Sequence, residues 1–186
     1  MVNFEDQETM RLTGDDIVAG IAEVLQGSCR YDVKMSASSI PSRFFGKKQQ
    51  ETSLETYLTR LYRYLDCSNV AYVTALVYLR RIEFLNDRCQ LTHGNIHRLH
   101  ATALLIAIKY HDDEHYSNLY YAQVFGMSGL AEINELESLM LSLLGFGMSI
   151  SEEEYYAQKI YIIKHRQAVS SGNILRCKGN TPISVA

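Results

Sequence analysis

Residues 96–110 read Ile96-His-Arg-Leu-His-Ala-Thr-Ala-Leu-Leu-Ile-Ala-Ile-Lys-Tyr110, and this stretch decides the fold. Wound as an α-helix, it is apolar on nearly every side, with few polar breaks. A helix of that kind belongs at the centre of a domain, wrapped by other helices. The small side chains of Ala101, Ala103 and Ala107 would let those neighbours approach closely. The sequence therefore predicts a central buried helix.

The chain on either side of this stretch is also helical in pattern. Its two prolines are Pro41 and Pro182, and apolar residues recur at three- and four-residue spacing through most of the interval between them. No Asn-Gly or Asp-Gly turn separates alternating runs, so β-hairpins are not predicted. We expect an all-α chain with five helices between Leu54 and Leu144, one helix before them from about Asp15 to Gln26, and one after.

Polar residues and glycines divide the chain into segments. Residues typical of helix N-caps precede the predicted helices; they are Thr13, Thr52 or Ser53, Ser68, Thr92, Ser117, Ser128, and Ser151 with Glu154 as a capping box. Gly27 is expected to end the first helix. The expected organisation is an N-terminal segment with its helix, a polar connector, the five-helix core, a C-terminal helix and a mobile tail, at 1–33, 34–53, 54–150, 151–165 and 166–186.

Composition narrows the class of protein. The chain has 186 residues, is 47% hydrophobic and carries a net charge of -3, so the basic surplus typical of nucleic-acid binding is missing. Its four cysteines form no C-x-x-C pair and no secretory signal is recognisable, which favours reduced thiols in the cytoplasm or nucleus. The longest apolar stretches fall short of the ~20 residues of a membrane span.

Motifs of nucleotide chemistry are missing from the sequence. It contains neither a G-x-x-x-x-G-K-[ST] loop nor a G-x-G-x-x-G turn after a strand. His97-Arg-Leu99 is similar to a kinase catalytic loop, but leucine stands where the aspartate base is required. We therefore expect no enzyme activity and no cofactor.

Histidines form two groups with helical spacing. His111 and His115 flank acidic residues and could form a metal-binding helix face, although a solvated helix end is the favoured interpretation. A helical metal-dependent enzyme using them with Asp112 or Asp113 stays open as an alternative. The second group is expected near the start of the central helix, hydrogen-bonded to neighbours; its members are His93, His97 and His100.

Two charges lie beside apolar residues. Lys109 ends the central helix, where the helix dipole favours a cation, and Glu137 shares a helix face with Leu141. Beyond Gly145, Phe146 and Met148 would project to one side of an extended segment. From the residues alone, a solvated salt-bridge face is the favoured interpretation and a partner-binding patch is the alternative.

Motifs along most of the chain resemble the cyclin box of Pho-type cyclins, also called P- or U-type. The resemblance covers about residues 15 to 165, in the right order and spacing. The matching stretches are Thr52-Ser-Leu-Glu-Thr-Tyr-Leu-Thr-Arg-Leu61, Ala75-Leu-Val-Tyr-Leu79, Leu91-Thr-His-Gly-Asn-Ile-His-Arg-Leu99, Ala107-Ile-Lys-Tyr-His-Asp-Asp113, Tyr116-Ser-Asn118, Tyr121-Ala122, Ile133-Asn-Glu-Leu-Glu137 and Leu143-Leu-Gly-Phe146.

The resemblance implies a five-helix cyclin box that regulates a cyclin-dependent protein kinase, in cell division or in phosphate and nutrient signalling. In cyclins a lysine that ends the third box helix and a glutamate of the fifth bind the kinase, and Lys109 and Glu137 match them. The apolar kinase contacts implied by the family are Ile106, Tyr110, Leu141, Phe146 and Met148. Binding would push the regulatory helix of the kinase into its active position.

Two positions depart from the family pattern. Arg80 stands where cyclins commonly have an aspartate that pairs with an arginine of the first box helix, so Arg60 lacks that partner. Phe125 stands where glycine is frequent. A cyclin-fold adaptor without kinase activation and a nucleic-acid-associated cyclin-like module are the alternative functions.

Overall fold

The computed structural model describes residues 13–29, 40–46, 52–85 and 89–170. These residues contain seven α-helices and no β-strand, which confirms the all-α class. The helices are α1 Gly14–Ser28, α2 Leu54–Tyr64, α3 Asn69–Leu85, α4 Ile96–His111, α5 Asn118–Phe125, α6 Leu130–Leu143 and α7 Glu152–Ser170. None of the helices in the described part is both long and apolar enough to cross a membrane.

Side-chain caps set where several helices begin. Thr13 accepts a hydrogen bond from the amide of Asp16, and Ser53 accepts one from the amide of Thr56. Each bond satisfies an amide that has no partner within its own helix. The capping box predicted for α7 is also present: the Ser151 amide donates to the Glu154 carboxylate at 3.0 Å, and the Glu154 amide donates to the Ser151 hydroxyl at 3.2 Å.

Helix α4 is the centre of the molecule. Its residues from Leu99 to Ile108 are all buried, and it packs most extensively on α3, then on α6. The ring of Tyr57 in α2 meets that of His97 in α4 at 5.0 Å, edge to face. Helices α2 to α6 are thus the five predicted between Leu54 and Leu144, arranged around the stretch that is apolar on nearly every side.

The two flanking helices, α1 and α7, pack against each other. A methyl group added to Gly20 would lie 2.5 Å from the Ile162 side chain, so this glycine sets the close approach of the helices. Arg166 forms an ion pair with Glu23 at 2.5 Å. The prediction that the C-terminal helix ends at 165 and a tail follows is wrong for residues 166–170, which are helical. Residues 171–186 lie outside the described residues.

Helix α1 continues through Gly27 to Ser28, so Gly27 does not end it. At this glycine a β-carbon would lie 4.0 Å from the His165 ring, which places the backbone of α1 close to α7. That distance is an ordinary van der Waals contact and Gly27 is exposed, so the helix passes through this position without needing a glycine for packing.

Part of the polar connector is built into the core. Within the described residues 40–46, Phe44 is fully buried on a short 3-10 turn, and Ile40 is also buried. Arg98 of α4 donates to the carbonyl of Arg43 and pairs with Glu132 of α6 at 2.5 Å. Residues 34–39 and 47–51 of the connector lie outside the described residues.

His100 corrects the expectation that the histidines of α4 hydrogen-bond to neighbours. It is fully buried, and neither ring nitrogen has a hydrogen-bond partner among the described residues. Burial, with the nearby His97 ring, lowers the pKa of His100 to about 3. The imidazole is therefore neutral at physiological pH and serves as a core side chain.

Other contacts replace the ion pair that the family commonly has between its first two box helices. Arg60 donates to the carbonyl of Val124, and its guanidinium lies 5.5 Å from the centre of the Tyr57 ring. The Arg80 guanidinium lies over the Tyr161 ring of α7 at 4.1 Å. Arg80 thus anchors the C-terminal flanking helix by a cation–π contact, in place of an ion pair with α2.

Candidate partner-binding site

Lys109 and Glu137 form an ion pair between the end of α4 and the middle of α6. The ammonium of Lys109 lies 2.7 and 2.9 Å from the two carboxylate oxygens of Glu137. The side chains are 28% and 18% exposed, so the pair is open to solvent on one side only. The structure thus brings together two charges that lie 28 residues apart in the sequence.

Asn118, the first residue of α5, completes the polar part of this site. Its side-chain amide donates to Glu137 at 2.9 Å and to the side chain of Asn134 at 2.7 Å. Asn118 was not predicted as a site residue, although it belongs to the Tyr116-Ser-Asn118 motif. Its contact with Glu137 could not be predicted from spacing, because Asn118 begins a different helix, 19 residues earlier in the chain.

The chain leaves α6 through residues 144–149, which we call the exit turn. The Gly145 amide donates to the Ser142 carbonyl at 3.1 Å, and the Phe146 amide donates to the Leu141 carbonyl at 3.0 Å. These two bonds form a Schellman motif, which satisfies carbonyls at the helix end. The motif places Phe146 directly after the C-terminus of α6 and ties it to Leu141.

Phe146 has an unusual backbone conformation and an exposed side chain. Its φ of 59° makes it the one non-glycine residue with a positive φ in the described ranges, and Gly145 before it has φ 56°. Its side chain is large and apolar, yet the residue is 66% exposed. The expected extended segment is therefore wrong at Phe146, because the Schellman motif bends the chain there. Strain combined with an exposed aromatic group is typical of binding sites.

Side chains of α3 bind three backbone carbonyls of the exit turn. Arg81 donates to the carbonyls of Gly147 at 2.7 Å and Ser149 at 2.9 Å. The Tyr78 hydroxyl donates to the carbonyl of Met148 at 2.7 Å. Burial, with the nearby phenol of Tyr110, raises the pKa of Tyr78 to about 12, so this donor stays protonated at physiological pH.

The apolar residues implied by the family lie at different depths. Tyr110 and Phe146 are exposed, whereas Leu141 and Met148 are half-buried. Ile106 lies one turn before Tyr110 and is 4% exposed, so it belongs to the packing beneath this surface. The predicted residues thus lie on the end of α4, on α6 and on the exit turn, with Lys109 and Glu137 in direct contact.

The acidic histidine segment after α4 has other contacts. Asp112 accepts a hydrogen bond from the Ser68 amide at 3.0 Å, and His111 lies 3.3 Å from the Thr74 hydroxyl. No group of three or more side chains suited to hold a metal ion occurs in the described ranges. These contacts favour the interpretation of a helix end packed on α3 over that of a metal site.

The chain is similar in sequence to known proteins over most of its length. The cyclin family model matches residues 9–148. Cyclin-U1-1 of Arabidopsis thaliana is 35% identical over 131 residues, which cover 69% of this chain and 62% of that protein. Cyclin-U4-3 of the same plant is 31% identical over 150 residues, covering 81% and 68%. Cyclin-P4-1 of Oryza sativa subsp. japonica is 36% identical over 110 residues, covering 59% and 51%.

A helical box built around α4, with a family match over most of the chain, defines a cyclin-type regulatory protein: the chain belongs to the cyclin family. The relatives named above place it among the P- and U-type cyclins, as the motifs predicted. The match to Cyclin-U1-1 spans less than two thirds of that protein's length.

Proposed function

We propose that this cyclin binds and activates a cyclin-dependent protein kinase through Lys109, Glu137 and the exit turn. The observation that carries the proposal is the exposed Phe146, held in a strained conformation just after the helix that carries Glu137 of the preformed ion pair. A free chain gains nothing from exposing an aromatic ring on left-handed backbone, which costs about 1–2 kcal/mol at a residue other than glycine. Coverage by a partner would offset that cost.

The ion pair is arranged to bind a backbone segment of the partner. Lys109 uses two of its three N–H donors on Glu137, so one is free to bind a carbonyl. Glu137 retains lone pairs beyond those that accept from Lys109 and Asn118, and these can accept from an amide. Both charges are held before binding, which reduces the entropy lost on association.

Activation would follow from the shape of the bound kinase. Contact with Phe146 and Tyr110 favours the kinase conformation in which its regulatory helix is turned inward. A glutamate of that helix then pairs with the strand lysine that holds the ATP phosphates. The chemistry stays on the kinase, and we expect the complex in the cytoplasm or nucleus, in cell division or nutrient signalling.

The test uses a panel of purified, unphosphorylated cyclin-dependent kinases, with affinity measured by calorimetry and activity by phosphate transfer to a peptide. Lys109→Glu and Glu137→Lys should each abolish binding. Each change sets two like charges against each other within the pair and presents a reversed charge to the partner. The double exchange should restore the internal ion pair and the melting temperature. It should still fail to bind, because the polarity presented to the partner is reversed.

A matched control is the exchange of Arg43 and Glu135, an exposed ion pair at 2.9 Å that also involves α6. It should leave binding unchanged. Binding by the wild-type chain without any rise in kinase activity would indicate an adaptor. Failure to bind any kinase of the panel, or full binding by the double exchange at Lys109 and Glu137, would contradict the proposal.

A further inference from the structure

We infer that Arg81 and Tyr78 are positioning residues, which hold the exit turn so that Phe146 faces the partner. This inference rests on the proposed function for the identity of the partner and on the structure for the contacts. The carbonyls of Gly147, Met148 and Ser149 follow one another in the chain. All three are bound by side chains of α3, 66 to 70 residues earlier in the sequence.

The exit turn needs such support because its own backbone hydrogen bonds hold it firmly only at its start. The Schellman motif fixes the chain only as far as Phe146, and the next backbone bonds are short-range, from Gly147 to Leu144 and from Met148 to Phe146. Two successive residues with positive φ are unfavourable when the second is phenylalanine. Without outside contacts, a segment of this kind relaxes toward ordinary backbone conformations, and the ring of Phe146 would move with it.

Glu154 holds Arg81 in place. One guanidinium nitrogen of Arg81, Nη2, lies 2.8 and 2.7 Å from the two carboxylate oxygens of Glu154. The same carboxylate accepts from the Ser151 amide in the capping box of α7. The planar guanidinium thus binds the exit turn and the start of α7 at once, which lysine with its single ammonium cannot reproduce.

A positioning role predicts that Arg81 acts through Phe146. Arg81→Ala should weaken kinase binding roughly tenfold, within the range found for directly coupled residues. In a Phe146→Ala background, the same change should have little further effect, because the ring to be positioned is already gone. Tyr78→Phe removes one hydrogen bond and keeps the packing, so it should show a smaller effect of the same kind. Arg166→Ala breaks a different ion pair of α7 and should not affect binding.

The position of the ring can be measured without any kinase. The chain contains no tryptophan, so Phe146→Trp introduces a single one into the exit turn, and excitation at wavelengths that tyrosine does not absorb reports on it selectively beside the 13 tyrosines. Adding Arg81→Ala should lower its steady-state anisotropy, since the indole becomes more mobile. Arg81→Lys should restore anisotropy only in part, and Arg166→Ala should leave it unchanged. Circular dichroism and thermal denaturation check that each variant is folded.

The two readouts separate the inference from the proposed function. Lower anisotropy with Arg81→Ala, together with a non-additive loss of affinity, supports both. If Arg81→Ala lowers the anisotropy but the wild-type chain binds no kinase of the panel, the positioning role is supported and the proposed function is contradicted. Unchanged anisotropy in folded Arg81→Ala and Tyr78→Phe variants, or affinity losses that simply add, would overturn the inference.

Discussion

Replacing Phe146 with glycine separates the stability of the chain from its binding surface. Glycine adopts the observed φ of 59° freely, which relieves about 1–2 kcal/mol of backbone strain. Its greater freedom in the unfolded chain costs about 0.5–1 kcal/mol. About a third of the Phe146 side chain is covered in the folded chain, roughly 70 of ~200 Å². The glycine variant loses this apolar burial, which is worth about 1.7 kcal/mol. The free energy of unfolding should therefore fall by about 1 kcal/mol, within a range of about 0.2–1.7 kcal/mol.

Binding should respond much more strongly. The exposed two thirds of Phe146, roughly 130 Å² of a ~200 Å² side chain, would leave water on full coverage by a partner. At ~25 cal/mol per Å² that coverage is worth about 3 kcal/mol, or somewhat more than a hundredfold in Kd. Urea denaturation measures the first quantity, and calorimetry with a kinase that binds the wild-type chain measures the second.

Leu130→Ala is the control for this prediction. Leu130 is also an exposed apolar residue, at 49%, and lies at the opposite end of α6, about 20 Å from the exit turn. It should leave Kd unchanged. A Phe146→Gly variant that loses several kcal/mol of stability would show that the ring supports the fold. A Kd within about threefold of wild type would refute the argument that the partner covers the ring.

Three further predictions concern the fold. His100→Leu should reduce the loss of stability between pH 6.5 and pH 5. The pKa of His100 is near 3 in the folded chain and higher in the unfolded chain, so the unfolded state gains protons as pH falls. The resulting loss is up to about 1.4 kcal/mol per pH unit, and chemical denaturation at several pH values measures the difference between wild type and variant. Gly20→Ala should lower the melting temperature by forcing α1 away from Ile162, with a loss of about 1–3 kcal/mol. At Gly145, where φ is 56° and no atom lies within 4 Å of an added β-carbon, alanine should cost about 1 kcal/mol through the backbone alone, seen in urea denaturation.

The connector shows where a pattern was insufficient. Its polar composition predicted a simple link, yet Phe44 lies fully buried and Arg98 of α4 binds the carbonyl of Arg43. Two adjacent aromatic residues, Phe44 and Phe45, form no periodic apolar pattern that would show which of them is buried. The burial of Phe44 depends on a gap between helices that exists only once they pack.

The candidate site could likewise be predicted only in part from the sequence. The motifs indicated Lys109 and Glu137 through family resemblance, while from the residues alone a solvated salt-bridge face was favoured. The structure joins them in an ion pair, with Asn118 as a third member. Burial on one side of the pair could not be judged from spacing, because it depends on how α4, α5 and α6 meet.

The sequence by itself determined the helices. Apolar spacing and capping residues act within a few residues of one another, so the central position of α4, the cap at Thr13 and the capping box at Ser151 could all be predicted. Tertiary structure decided the exit turn. The left-handed Phe146 is stabilised by bonds from α3 to the carbonyls that follow it, and donors 66 to 70 residues away in the chain leave no local signal.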